Sequence, residues 1–211
     1  MLDDIRAHIL ENTRQIILGQ FVLCSPFRHP PLLAKMAGTL DTLSGRRLFL
    51  GLGTGWHESE FKAYGYPYES NAARVKRLDE AAEIIKLIWT EEAPNFEGRY
   101  YRIENAYNAP KSAQKSHLPF MIAGGGEQLT LRTVARFADI RNFSAWTGTP
   151  EEFETKNRLL DEHSMRAERN STEIKRSCRV LPNRREHEES GDEHKELHFK
   201  NPNPVQKRRR K

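Results

Sequence analysis

Three short stretches of the 211-residue sequence carry residue types that could do chemistry. The first is Gly51-Leu52-Gly53-Thr54-Gly55, with glycine at every second position. Backbone without Cβ atoms lets a flat or anionic ligand come close. A bare GxGxG is equally a tight loop with no ligand, so its neighbours decide how it is read. The second stretch, Ala123-Gly124-Gly125-Gly126, ends an apolar run and passes into a helical pattern. Consecutive N–H groups at a helix start, aided by the helix dipole, form an anion site. Glu127 beside them would repel an anion unless its side chain turns to solvent. The third stretch is His57-Glu58, which with His29 supplies the acid–base candidates near the predicted strand ends. His57 and Glu58 read as a solvent-facing pair on a loop, and His29, ahead of Pro30-Pro31, as a packing or capping residue. His187, His194 and His198 lie among carboxylates but lack a metal-site spacing, so adventitious binding is the most they support. The sequence contains no Ser-His-Asp order and no P-loop.

Those stretches need strands and helices to hold them. Ile16–Leu23 is apolar on both faces and reads as a strand of a covered parallel sheet. It is followed by the proline-rich turn Cys24–Pro31. Leu32, Leu33, Met36, Leu40 and Leu43 mark an amphipathic helix with prolines at its start and Gly45 at its end. Leu48-Phe49-Leu50 opens the next strand, which runs into the first glycine stretch. Phe61–Tyr68 reads as an aromatic loop. Asn71 is placed to cap a helix whose buried face is Val75, Leu78, Ala82, Ile85, Ile88 and Trp89. Phe96–Ile103 predicts a small hairpin outside the main sheet, and Pro119–Ala123 a further buried strand. Leu131, Val134, Ala135 and Ala138 then mark a helix, Asp139–Phe143 a strand, and Thr149-Pro150-Glu151-Glu152 another helix start. Leu2, Ile5 and Ile9 place a helix at the beginning. Strands and helices alternate through short glycine-containing joins, which is the pattern of an α/β fold with a parallel sheet.

Composition sets the limits. Hydrophobic residues make up 37% and charged residues 30%, a polar balance that implies an unfolded portion. From Pro182 the sequence is charged and nearly without apolar residues, so residues 179–211 are expected to be a disordered charged tail behind a domain at 1–178. The net charge of +5 rests in part on the terminal Lys207-Arg208-Arg209-Arg210-Lys211, which reads as a solvated charge run rather than a nucleic-acid site. Cys24 and Cys178 match no metal or redox spacing and imply a reducing compartment. With no signal peptide and no apolar run long enough to span a bilayer, a cytoplasmic protein is expected.

The run CSPFRHPPLLAKMAGTLDTLSGRRLFLGLGTGWHESEFKAYGYPY resembles the luciferase-like flavin monooxygenase superfamily, and is most similar to its branch that uses the deazaflavin coenzyme F420. RVKRLDEAAEIIKLIWTEEAPNFEGRYYRIENAY and PFMIAGGGEQLTLRTVARFAD share the resemblance. More loosely, RNSTEIKRS resembles the family's later helix start. The resemblance implies a TIM (β/α)8 barrel with the coenzyme at the C-terminal ends of the strands. On it, Leu23-Cys24-Ser25 would end the third strand and back the ring, Gly53-Thr54-Gly55 would end the fourth, and Ala123-Gly124-Gly125-Gly126 would end the fifth and hold the phosphate. Trp56, Tyr64 and Tyr66 would shape the substrate side, and no metal is implied.

A whole barrel takes about 250 residues, so the chain is expected to be a partial, truncated copy holding approximately strands three to six. The family's second strand, which supplies part of the substrate pocket and the catalytic groups, has no counterpart here, and no catalytic residue is assigned. Two exposed sheet edges make a homodimer the expected remedy against aggregation. The function expected is an oxidoreductase or monooxygenase moving hydride between F420 and a small organic substrate, if the barrel is complete or completed by a partner. The alternatives are FMN as the coenzyme, or a non-catalytic remnant that pairs with another chain or binds only phosphate.

Overall fold

In the computed structural model, residues 12–144 and 149–179 are described. In chain order they form β1 (Leu18–Gly19), β2 (Leu23–Cys24), α1 (Pro30–Leu43), β3 (Leu48–Gly53), α2 (Glu58–Ala63), α3 (Asn71–Thr90), β4 (Phe96–Glu97), β5 (Arg102–Ile103), β6 (Phe120–Ala123), α4 (Thr130–Phe137), β7 (Ile140–Ser144), α5 (Pro150–Arg166) and β8 (Lys175–Arg179). The expected helix at the start, the histidines of the tail and the terminal basic run lie outside the described residues.

All pairings in the main sheet are parallel, with β1 and β2 both against β3, then β6, β7 and β8 in that order. Because β1 and β2 are two pieces of one edge strand, the sheet is a curled half-barrel of five strands. The four anticipated strands are present, and Lys175–Arg179 adds a fifth. That last element corrects the reading of Arg169–Ser177 as a helix start. The Asn170 side chain accepts from Thr172 N and holds one 3-10 turn, Ser171–Glu173, after which the chain extends into β8.

Side chains alternate across a strand, and this sorts the sheet into two faces. Leu48, Leu50 and Leu52 of β3 and Phe120 and Ile122 of β6 join a buried core with α1, α3 and α4. From α3 come Leu78, Ala82, Ile84, Ile85, Ile88 and Trp89, with the Trp89 indole N–H donating to Ala34 O at 3.0 Å. Each such large side chain contributes about 1.5–3 kcal/mol by burial. The helices thus cover one face, and Phe49, Gly51, Gly53, Met121 and Ala123 point to the other, the interior of the half-barrel. The hairpin β4–β5 pairs antiparallel as a separate two-stranded sheet.

The first strand departs from the continuous run expected at Ile16–Leu23. Leu18 pairs with Leu48 and Gly19 with Phe49, but Leu23 pairs with Leu52 and Cys24 with Gly53. The edge strand therefore carries one extra residue between its halves, a bulge. Ile16, Ile17 and Phe21 are exposed, so this strand is not covered on both faces.

The packed face of α1 also differs from expectation. Leu33, Ala34, Ala37 and Gly38 are buried, whereas Leu32, Met36 and Leu43 are exposed. The small residues let the helix lie close to its neighbours; a Cβ on Gly38 would sit 3.4 Å from Pro110 O. Asp41, also on that face, is fully buried.

Smaller corrections concern caps. Ser70, not Asn71, caps α3, accepting from Ala73 N. Thr149 caps α5 as its Thr-Pro-Glu-Glu start implies, accepting from Glu152 N at 3.3 Å. Among the described residues no helix is long and apolar enough to cross a membrane.

Candidate functional site at the strand tips

β2, β3 and β6 are adjacent and parallel, so their C-terminal ends lie along one edge of the sheet. The three stretches singled out from sequence, at Leu23–Ser25, Gly53–Gly55 and Ala123–Gly126, are therefore neighbours in space.

At the first tip the side chains divide. Leu23 is buried in the core on the helix side, so only its backbone belongs to the edge. Cys24, paired with Gly53, shares the interior face. Burial pushes its thiol up to about 11, with the Phe27 backbone hydrogen bond working in the opposite direction, which favours the neutral thiol over the thiolate. Ser25 is only 2% exposed, and its Oγ has no hydrogen-bond partner among the described residues. A buried hydroxyl without a partner is costly and rare.

The second tip shows why glycine stands at alternate positions. A Cβ on Gly51 would come 2.1 Å from Gln20 O, and one on Gly53 3.0 Å from Val22 Cγ2. Gly55 has φ +73° and a Cβ there would meet Cys24 Sγ at 2.6 Å. The space above these glycines is thus filled first by the chain itself, through the bulge that carries Gln20 and Val22. The Thr54 hydroxyl turns back to Gly55 O at 3.4 Å.

Beyond Gly55 an open cleft of about 440 Å³ is lined by Trp56, His57, Ser59, Glu60, Ala63 and Tyr64. Two of the three expected substrate-side aromatics are in its wall, and Trp56 is 81% exposed. Tyr66 is not; its ring packs on Phe27, centroids 4.5 Å apart. Part of the stretch expected as an aromatic loop is helical, since α2 includes Phe61. Phe61 packs tilted against Phe27 and edge-on to Tyr68, tying the tip of β2 to the wall of the cleft. His57 precedes α2, and its Nδ1 meets Ser59 Oγ at 2.9 Å while Trp56 stands edge-on to its ring. His57 therefore faces the cleft, whereas Glu58 pairs outward with Lys62 at 2.6 Å. His29 is exposed at the start of α1 and its side chain makes no cap.

The third tip differs in one respect from the expected cradle. Gly126 does not lead directly into the helix, because a turn at Glu127–Leu129 intervenes and α4 begins at Thr130. Gly124 N–H donates to Asn142 O at 3.2 Å. Among the described residues nothing accepts from the N–H groups of Gly125 and Gly126. Glu127 is exposed.

Sequence reasoning missed the charge beside this turn. Lys156 of α5 is 7% exposed, and its Nζ would lie 3.1 Å from a Cβ on Gly125. It pairs with Glu152 at 2.8 Å and sits 4.3 Å from the centroid of the Phe143 ring. The available signal, Glu152 and Lys156 four residues apart, looks like any solvated helix pair. No group of His, Cys, Asp and Glu that could hold a metal occurs among the described residues.

The family profile described as luciferase-like monooxygenase matches residues 5–201. The F420-dependent glucose-6-phosphate dehydrogenase of Intrasporangium calvum is 33% identical over 175 residues, which are 81% of this chain and 51% of that protein. The FMNH(2)-dependent dimethylsulfone monooxygenase of Pseudomonas putida is 30% identical over 131 residues, 62% of this chain and 36% of that protein. Among solved structures, the coenzyme F420 dependent tetrahydromethanopterin reductase from Methanopyrus kandleri superposes with a TM-score of 0.74 at 24% identity, over 85% of this chain and 54% of that one. The chain thus spans about half the length, or less, of the relatives it matches. With a parallel half-barrel, its strand tips aligned on one edge and a family profile covering most of its length, the chain belongs to the luciferase-like monooxygenase family.

Proposed function

We propose that this chain forms the coenzyme side of a luciferase-like oxidoreductase that takes deazaflavin F420 and moves hydride to or from a small organic substrate. The observation that carries the reading is the alignment of the tips of β2, β3 and β6, with an unpartnered hydroxyl at one end and an anion-accepting turn at the other. A coenzyme with a polar-edged ring and an anionic tail suits that span. The Gly125 and Gly126 N–H groups and Lys156 would hold the tail, and Ser25 Oγ would meet the ring edge. Trp56, His57 and Tyr64 would wall the substrate side. When bound, the coenzyme supplies the hydride chemistry, and the protein's part is placement and electrostatics. FMN is the second reading, favoured by the similarity to an FMNH(2)-dependent monooxygenase.

Titration of the full chain with F420 and, separately, with FMN, followed by quenching of coenzyme fluorescence, tests this. F420 is expected to bind more tightly than FMN, and Lys156→Met and Ser25→Ala each to weaken it by roughly tenfold, the loss of one charge-assisted or one buried contact. Tighter binding of FMN would move the assignment to the second reading. A folded chain, by circular dichroism, that quenches neither coenzyme would refute both and leave the non-catalytic reading.

A further inference from the structure

Arg141 of β7 lies on the helix-facing side of the sheet, against the Phe143 ring that also borders Lys156 and Gly125. It pairs in register with Ile122 and Arg176, and its side chain is 0% exposed. The guanidinium lies between two rings, 5.1 Å from the Phe143 centroid and 5.3 Å from that of Phe153 on α5. Its Nη1 donates to Asn157 Oδ1 at 3.1 Å, whereas Nε and Nη2 are buried with no hydrogen-bond partner among the described residues. Those two nitrogens form the side-on edge of the guanidinium, whose parallel N–H groups match two oxygens of a carboxylate or phosphate.

The charges nearby do not satisfy it. Lys156, against the same Phe143 ring, takes Glu152, and Arg176 takes Asp161. Among the described residues, these three cations and two carboxylates leave Arg141 without a counter-charge. Burial pulls its pKa down to about 10, with the Cys178 thiol opposing and Arg176 adding to the effect, so it is still charged at neutral pH. The two rings stabilise the cation through their faces but offer nothing to the in-plane N–H donors.

We infer that the side-on edge of Arg141, between β7 and α5, is a binding site for a small oxyanion that presents two oxygens in one plane. The Phe143 ring stands between this edge and the Lys156–Gly125 turn of the coenzyme reading, and the Arg141 variants below tell the two anion sites apart. Because Arg141 is enclosed by α5, occupancy is linked to the seating of that helix and so to stability.

Thermal unfolding of the full chain in sodium phosphate and in sodium chloride at equal ionic strength tests the inference. Phosphate is expected to raise the Tm by about 4–8 °C at a thirtyfold excess over its Kd. The rise should vanish in Arg141→Met. In Arg141→Lys, which keeps the charge but lacks the fork, the half-saturating concentration should increase by at least about tenfold. Sodium acetate in place of phosphate, if it alone produces the Arg141-dependent rise, keeps the site and narrows its ligand to carboxylates. A rise that survives Arg141→Met belongs to another anion site, such as the glycine turn, and overturns the assignment. So does the absence of a rise with either anion in the unsubstituted chain. If the methionine variant does not fold, the comparison with lysine decides.

Discussion

Asp41 gives the sharpest test of how this half-barrel is held together. It is 0% exposed in α1, yet its partners lie 71 and 73 residues away. Oδ2 accepts from Ser112 Oγ at 2.6 Å and Gln114 N at 3.2 Å, and Oδ1 from Gln114 Nε2 at 2.7 Å. The same Gln114 amide also donates to Leu48 O at 2.8 Å, so one carboxylate fastens the approach to β6 against both α1 and β3. Hydrogen bonds to a charged group each contribute about 1.5–3 kcal/mol. Three of them do not simply add, and Ser112 and Gln114 are half-buried, so water can replace part of what is lost. Asp41→Ala is therefore expected to cost about 3–5 kcal/mol, less than the three bonds would sum to. Asp41→Asn keeps the shape and one acceptor but sets an NH2 against a donor, and should cost roughly half as much. Urea unfolding reads both values; with a slope of about 2 kcal/mol/M the alanine variant shifts the midpoint by roughly 1.5–2.5 M. An alanine variant within about 1 kcal/mol of the parent, or an asparagine variant as unstable as alanine, would refute this account.

Further substitutions and treatments test the glycine and cysteine positions. Gly55→Ala meets both a left-handed backbone and Cys24 Sγ at 2.6 Å, and should destabilise by about 2–5 kcal/mol in the same assay, whereas Gly65→Ala, at φ +73° with open space around it, should cost only the backbone part, about 1–2 kcal/mol. Iodoacetamide at pH 8 is expected to modify the exposed Cys178 well before Cys24, whose raised pKa of about 11 cuts its thiolate fraction by roughly a hundredfold. Mass spectrometry of the labelled chain checks the order, and equal rates would show Cys24 to be open. The same shift has a sign in stability: the folded thiol keeps its proton where the unfolded one loses it. Its contribution is full below about pH 9 and is lost as pH rises toward about 11, a loss that Cys24→Ser should remove from the alkaline limb of the unfolding profile.

Much of the scaffold was legible in the residues because its signals are local. β3 is an apolar run ending in glycine, and the face of α3 from Val75 to Trp89 repeats at helical spacing and is buried as read. The failures have physical causes. Hydrophobicity named Leu32, Leu33, Met36, Leu40 and Leu43 as the packed face of α1; Leu33 and Leu40 do pack, but the helix lies close enough that Ala34, Ala37 and Gly38 replace the other three. A single extra residue in an eight-residue apolar run leaves no trace in the pattern, so the bulge was invisible. β8 reads Lys-Arg-Ser-Cys-Arg and has no apolar period to announce a strand. At the site, the glycines were found but not their reason, since it is Gln20 O, Val22 and Cys24 that press on them. Lys156 and Asp41 escaped notice because a lysine four residues after a glutamate, or an aspartate among threonines and leucines, is ordinary until the partner across the fold is known.

The extra residue between Gly19 and Leu23 acts as a parity switch for everything downstream on its strand. Counting straight on from Leu18, which shares a face with Leu48, Leu23 would turn toward the hollow and Cys24 toward the helices. With one residue looped out, the two exchange: Leu23 enters the core and Cys24 comes to lie beside Gly53. Removing any one of Gln20, Phe21 or Val22 would thus transpose the lining of the mouth with its outer wall while every other strand stayed in place. Homologous chains that differ in length by one residue at this point should present different side chains to whatever their strand ends hold.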